Sequence, residues 1–139
     1  MNLYQLIYKS YATRALTAEE FADIMVEAKV NNKEIDVTGC LLFKDGVFLQ
    51  VLEGDKKDLV KLYKKIQRDS RHAQAEQLYF ESTNERTFQN WSMKMINLSF
   101  EGKNAFPELI NVFTAVKNNE TVDGVPASKR LLDYFKQSH

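Results

Sequence analysis

Two apolar runs joined by Asp45-Gly46 leave this chain few choices of fold. Val37-Thr38-Gly39-Cys40-Leu41-Leu42-Phe43 precedes the pair, and Val47-Phe48-Leu49-Gln50-Val51-Leu52-Glu53-Gly54 follows it. Asp-Gly between apolar runs is a strong signal for a tight antiparallel hairpin. The second run, apolar at nearly every position and closed by a glycine, reads as a buried, central strand. Side chains alternate along a strand, so Phe48, Gln50 and Leu52 share one face and Val47, Leu49 and Val51 the other. That leaves one primary amide, Gln50, among apolar neighbours. Buried without partners for its donors and its oxygen, it costs about 1–3 kcal/mol. Taken alone, Gln50 reads as a residue on a partly exposed face or a cap on a neighbouring strand. Its weight depends on what else reaches it.

At 139 residues, 44% hydrophobic and 12% aromatic, the chain fits one globular domain. Lys plus Arg equals Asp plus Glu, at 19 each, so no net field attracts nucleic acid or an anionic membrane. The single cysteine, Cys40, excludes an intrachain disulfide framework and suits a reducing compartment. No basic leader followed by a long apolar run opens the sequence, and no apolar stretch approaches the roughly 20 residues that span a bilayer. These features read as a soluble, cytoplasmic protein.

Around the hairpin the chain reads as alternating strands and helices. Leu3–Tyr8 is a strand with Tyr4, Leu6 and Tyr8 on one face. Thr17-Ala18-Glu19-Glu20 is a capping box, opening a helix with Phe21, Ile24, Met25 and Ala28 at helical spacing. Seven and eight residues beyond Ile24 come Asn31 and Asn32, which by themselves read as a helix stop. After the hairpin, Asp55 caps a second helix bearing Leu59, Leu62, Tyr63 and Ile66, which stops around Asp69–His72. Gln77–Ser82 reads as a fourth strand and Trp91–Leu98 as a fifth, with Trp91, Met93 and Met95 on one face. A break at Gly102-Lys103-Asn104 precedes a helix from Pro107 through Asn118. A polar connector, 119–124, then leads to an amphipathic stretch with Leu131, Leu132 and Phe135. The order βαββαββ predicts an α+β, ferredoxin-like sandwich, one sheet with two helices on one side, and two appended C-terminal helices. The division expected is a core over 1–100 and a helical extension over 101–139.

Enzymatic signatures are absent from the sequence: no Gly-rich phosphate loop, no paired cysteines, no helical His-Glu-x-x-His metal site. His139 is the last residue, and His72 follows Arg71 at a predicted helix end, where a cation complements the dipole. Cys40 reads as a small buried hydrophobe, and Asp69 with Arg71 as a surface pair of almost no energetic weight. The chain reads as neither an enzyme nor a metal protein.

Leu3-Tyr4-Gln5-Leu6-Ile7-Tyr8, Asn31-Asn32, Thr38-Gly39, Phe48-Leu49-Gln50-Val51-Leu52-Glu53-Gly54, Asp69-Ser70-Arg71-His72 and Trp91-Ser92-Met93, in this order and spacing, resemble the BLUF domains, flavin-based sensors of blue light. The resemblance covers residues 1 to about 100, and the two-helix tail is similar to that of short, stand-alone members. Lys9–Leu16 matches no motif of the family.

The resemblance implies a flavin ring held between the two helices, above the sheet. Ile24 and Ile66 match the residues flanking the ring, although both also read as core. Asn32, with Asn31 beside it, matches the amide at the pyrimidine edge. Arg71 matches a side chain near that ring's carbonyl, with Asp69 orienting it. Tyr8 and Gln50 match the photoactive pair, and Trp91 and Met93 the signal relay. The cofactor implied is FAD, with FMN or riboflavin as alternatives. The partners implied are a downstream signalling protein and further copies in a homo-oligomer, not nucleic acid or membrane. A flavin-free ferredoxin-like interaction or oligomerisation module is the competing expectation.

Overall fold

The hairpin forms as its sequence dictates. Strand β2 (Thr38–Lys44) pairs antiparallel with β3 (Val47–Asp55), from Thr38 opposite Glu53 to Lys44 opposite Val47. Asp45 and Gly46 both take positive φ, 49° and 80°, the backbone that a two-residue hairpin turn requires. Gly39 is demanded by crowding: a Cβ there would lie 1.9 Å from the Val51 carbonyl oxygen.

The computed structural model describes residues 2–90, 92–99 and 107–137, without the side chains of His72 and Val122. Strand β1 (Leu3–Ala12) lies antiparallel beside β3, with Tyr8 directly opposite Gln50. Helix α1 (Ala18–Glu34) opens on the Thr17–Glu20 capping box, and α2 (Lys56–Gln67) opens on Asp55. With β4 (His72–Ser82) and β5 (Lys94–Asn97) the sheet order is β4-β1-β3-β2-β5, β5 running parallel to β2. This is the ferredoxin-like arrangement with a fifth strand on the β2 edge.

Several boundaries differ from the sequence reading. Helix α1 passes through Asn31 and Asn32 and ends at Glu34, with Ile35 as its C-cap, so these residues form its last turn rather than a stop. Helix α2 ends at Gln67, and His72 begins β4 instead of closing a helix. The earlier start of β4 gives β1 a longer partner, so β1 runs four residues past Tyr8, with register shifts between Ile7 and Tyr8 and between Lys9 and Tyr11. Strand β5 has four residues, Lys94–Asn97, not the eight of 91–98. Trp91 and the break at Gly102–Asn104 lie outside the described residues.

The alternation read from β3 divides the molecule into two cores. Phe48 and Leu52 join Leu6, Tyr8, Leu41, Ile24, Leu59 and Met93 between the sheet and helices α1 and α2. Val47, Leu49 and Val51 join Ile7, Leu42 and Ile96 on the opposite face, covered by the C-terminal segment. That segment comprises α3 (Pro107–Lys117), a small hairpin of β6 (Thr121–Val122) and β7 (Val125–Pro126), and α4 (Ala127–Gln137). The hairpin occupies what reads as a polar connector, turning on Asp123 and Gly124 at φ 52° and 78°. Leu109, Phe113, Leu131 and Phe135 are buried against the sheet, each worth about 1.5–3 kcal/mol of apolar burial. Lys9 on β1 adds a bond from its Nζ to the Lys117 carbonyl at the end of α3, 2.7 Å. Among the described residues no helix is long and apolar enough to cross a membrane.

Candidate functional site

Pairing of the strands sets one row of side chains under the two sheet-packing helices. Tyr8, Gln50, Leu41 and Met95 sit side by side on β1, β3, β2 and β5. Above this row a cleft of about 240 Å³ opens between α1 and α2. Tyr8, Ile24, Asn31, Asn32, Gln50, Ile66, Asp69 and Arg71 all line it, so the structure brings every expected cofactor-contacting position to one place. Five further residues, Glu27, Ala28, Leu41, Leu62 and Lys65, complete the wall.

The floor holds a short chain of polar atoms in an otherwise apolar core. The Tyr8 hydroxyl donates to Gln50 Oε1, and Gln50 Nε2 donates to Met93 Sδ at 3.4 Å. Tyr8 is fully buried and Gln50 is 5% exposed. Burial pushes the Tyr8 phenol far above its ordinary range, and the nearby Tyr63 and Asp69 push in the same direction. Tyr8 is therefore a neutral donor. The two ends of Gln50 are unequally held: its oxygen takes a phenol proton, its nitrogen faces a thioether, a weak acceptor.

The polar rim comes from two element ends. Asn32, 3% exposed, donates from Nδ2 toward the Ser92 carbonyl at 3.5 Å, while its neighbour Asn31 is exposed at the mouth. The Arg71 guanidinium forks onto Asp69, Nε to Oδ1 at 3.0 Å and Nη2 to Oδ2 at 2.6 Å, and its Nη1 reaches Glu27 at 2.5 Å. The Asp69 carboxylate, then Glu27, hold the guanidinium proton even more firmly than usual. Read from sequence as a surface pair, Asp69 and Arg71 are in fact a partly buried two-point fork on the cleft wall.

Two of the additional residues had a usable signal. Leu41 faces Gln50 as soon as the hairpin register is fixed, and Glu27 shares the i, i+3, i+4, i+7, i+8 face of Ile24, Ala28, Asn31 and Asn32. Lys65 carries no such mark. A larger cleft, about 510 Å³, lies on the other side of the sheet between the loop after β4 and α4, and none of the expected site residues lines it. Cys40 is buried in that second core, where burial pushes its thiol pKa up, consistent with an inert hydrophobe.

A family model described as BLUF, sensors of blue light using FAD, matches residues 3–94. The chain is 32% identical over 121 residues to the photoactivated adenylate cyclase subunit beta of Euglena longa, covering 86% of this chain and 14% of that protein. It is 30% identical over 96 residues to the blue light- and temperature-regulated antirepressor BluF of Escherichia coli (strain K12), covering 69% of this chain and 24% of the antirepressor. The chain thus spans a minor part of these relatives' length. Among solved structures, a bacterial light-regulated adenylyl cyclase superposes with a TM-score of 0.75 at 33% identity, over 95% of this chain and 36% of the cyclase. The dark-state structure of BlrB, a BLUF protein, superposes with a TM-score of 0.81 over 99% of this chain and 98% of BlrB; at 24% identity, that likeness speaks for the fold alone. With the family model spanning the strands and helices that build the cleft, the chain belongs to the BLUF family of flavin-binding blue-light sensors.

Proposed function

We propose that the cleft between α1 and α2 holds the flavin ring and that light is read out through Tyr8 and Gln50. The observation that carries this is the Tyr8–Gln50–Met93 chain of bonds on the cleft floor. Ile24, Leu41, Leu62 and Ile66 supply apolar wall for a flat ring, and Asn32 and Arg71 supply donors for its carbonyl-bearing edge. At about 240 Å³ the cleft falls below the roughly 300–1,000 Å³ of pockets that engulf a drug-sized ligand. It suits the ring, with a ribityl phosphate or dinucleotide tail left at the mouth near Glu27 and Lys65. FAD is the cofactor we assign, following the family.

Excited by blue light, a bound flavin supplies a strong one-electron oxidant. Tyr8 is the electron donor on this chain. Losing an electron makes its phenol proton strongly acidic, and Gln50 Oε1 already accepts that proton. Gln50 then presents an inverted face, by rotation or as its tautomer, because its two ends exchange donor and acceptor roles. Leaving Met93 costs little, since an N–H to sulfur bond is weak. With the electron and the proton returned to Tyr8, the inverted amide would offer the ring different hydrogen bonds, which would shift its absorption to the red.

In this reading the chain senses rather than catalyses. Met93, with Trp91 two residues before it, passes the change to the C-terminal helices, where a downstream signalling protein or a second copy of the chain reads it. The test is optical. Purified protein is expected to be yellow and to shift reversibly to the red under blue light, whereas Tyr8→Phe keeps the flavin and loses the shift. A normal red-shifted state in Tyr8→Phe contradicts the assignment, and a colourless wild type favours the flavin-free interaction module.

A further inference from the structure

Three residues along β3 from Gln50, and on the opposite face, Glu53 is fully buried. Its carboxylate accepts four hydrogen bonds. Two come from cross-strand neighbours, Gln5 Nε2 at 2.7 Å and the Thr38 hydroxyl at 3.2 Å. The other two come from the backbone N–H groups of Thr87 at 2.7 Å and Phe88 at 2.8 Å. Arg86 tightens the same knot, donating to the Thr38 hydroxyl at 3.0 Å, the Glu53 carbonyl at 3.2 Å and the Asp36 carbonyl at 2.8 Å. The two strands flanking β3 thus grip one carboxylate, and that carboxylate grips the loop after β4.

The anchored loop touches both faces of the sheet. Phe88 is buried, and its ring centre lies 5.1 Å from that of Phe135 on α4. Five residues further on, Met93 accepts the Gln50 amide on the flavin-side face. The segment therefore links the photoactive amide to the C-terminal helix, and its middle is pinned to Glu53.

We infer that Glu53 is a positioning residue for signalling: it fixes Thr87 and Phe88 as a pivot, so that movement of Met93 reaches α4 through the Phe88–Phe135 contact. An unpinned loop would open locally and absorb such a shift, because a stretch with few fixed hydrogen bonds moves at little cost. Transmission needs an element that both sites bias, and a clamped segment packed on α4 is one. This inference rests on the photoreceptor reading above.

The test uses the flavin-loaded full chain, followed by hydrogen exchange over 83–90 and 127–137, in darkness and under blue light. Absorption is recorded on the same samples. Wild type is expected to show a light–dark difference in both segments. Glu53→Gln replaces an acceptor oxygen with a donor facing backbone N–H groups; it should keep the red shift and lose the difference over 127–137. Thr38→Val removes one of the carboxylate's donors with little change in shape; it should diminish the same difference, and it decides the matter if Glu53→Gln does not fold. A purely structural anchor would loosen α4 equally in darkness and light, leaving the difference intact. A difference of wild-type size in every variant that folds, or none in a wild type that shifts to the red, overturns the inference. A wild type without a red shift overturns the photoreceptor reading instead.

Discussion

Two glutamine-containing rows lie three residues apart on the same strands and face opposite sides of the sheet. In one, Tyr8 on β1 stands opposite Gln50 on β3; in the other, Gln5 on β1 stands opposite Glu53 on β3. Every oxygen of Glu53 is filled, by four donors at 2.7–3.2 Å. Gln50 has one strong partner, the Tyr8 phenol, and one weak one, the Met93 sulfur. Fully satisfied buried networks resist rearrangement, whereas the amide's bond to a thioether gives up little when it breaks. One strand therefore carries a fixed point and a movable one, and the difference lies in the partners rather than in burial.

The comparison breaks most visibly in stability. Glu53→Ala leaves the buried Phe88 N–H, the partly buried Thr87 N–H and the Gln5 amide each short of an acceptor, at about 1–3 kcal/mol each, so we expect a loss of about 3–9 kcal/mol in urea unfolding. Gln50→Leu should cost about 1 kcal/mol or less in the same assay, since Tyr8 alone loses an acceptor and Leu restores apolar contact. Equal losses in the two variants would erase the distinction between the rows.

Next in size is the hold on flavin. Arg71→Ala and Asn32→Ala each remove about 1–3 kcal/mol of buried hydrogen bonding, roughly a five- to 150-fold rise in Kd by equilibrium dialysis. The red shift of whatever flavin remains bound should be unchanged. Wild-type occupancy in both variants after extensive dialysis would remove these residues from the site.

Alkaline pH gives a smaller effect with a definite sign. The folded Tyr8 phenol titrates far above its ordinary range, chiefly through burial. Unfolded, it titrates near pH ~10. Below pH ~10 both states keep the proton and the full stability is present; above it the unfolded chain binds fewer protons, so stability falls as pH rises. Tyr8→Phe should flatten this alkaline slope in pH-dependent unfolding. The smallest expected effect is that of Met93→Ala on the spectrum: a near-normal red shift, because sulfur takes no chemical role of Tyr8 or Gln50. Light-dependent exchange over 107–137 should nevertheless be uncoupled from that shift.

Much of the cleft-side row was legible from local patterns. The Asp45-Gly46 turn fixes the hairpin, the capping box starts α1, and strand alternation puts Gln50 and Leu52 on one face. Asn32 was harder, because an Asn near a helix end is an ordinary stop until its column with Ile24 is seen. Glu53 was not legible as an anchor. Its partners on Thr87 and Phe88 are backbone groups more than 30 residues downstream, and a backbone N–H carries no residue signature. The Asp123-Gly124 hairpin has the same turn chemistry as Asp45-Gly46, but its arms are two residues each, too short for a period. That the tail covers the second face was not legible: Val47, Leu49 and Val51 need cover, but that demand names no partner.

Of the two glutamines, Gln50 turns under light and Gln5 stays fixed. Light-minus-dark infrared spectra of flavin-loaded protein carrying isotope-labelled glutamine measure this directly. A label-sensitive side-chain amide band is expected in the difference spectrum of wild type, retained in Gln5→Leu and absent in Gln50→Leu. A band that survives in Gln50→Leu, or its absence from a wild type that shifts to the red, would contradict the account.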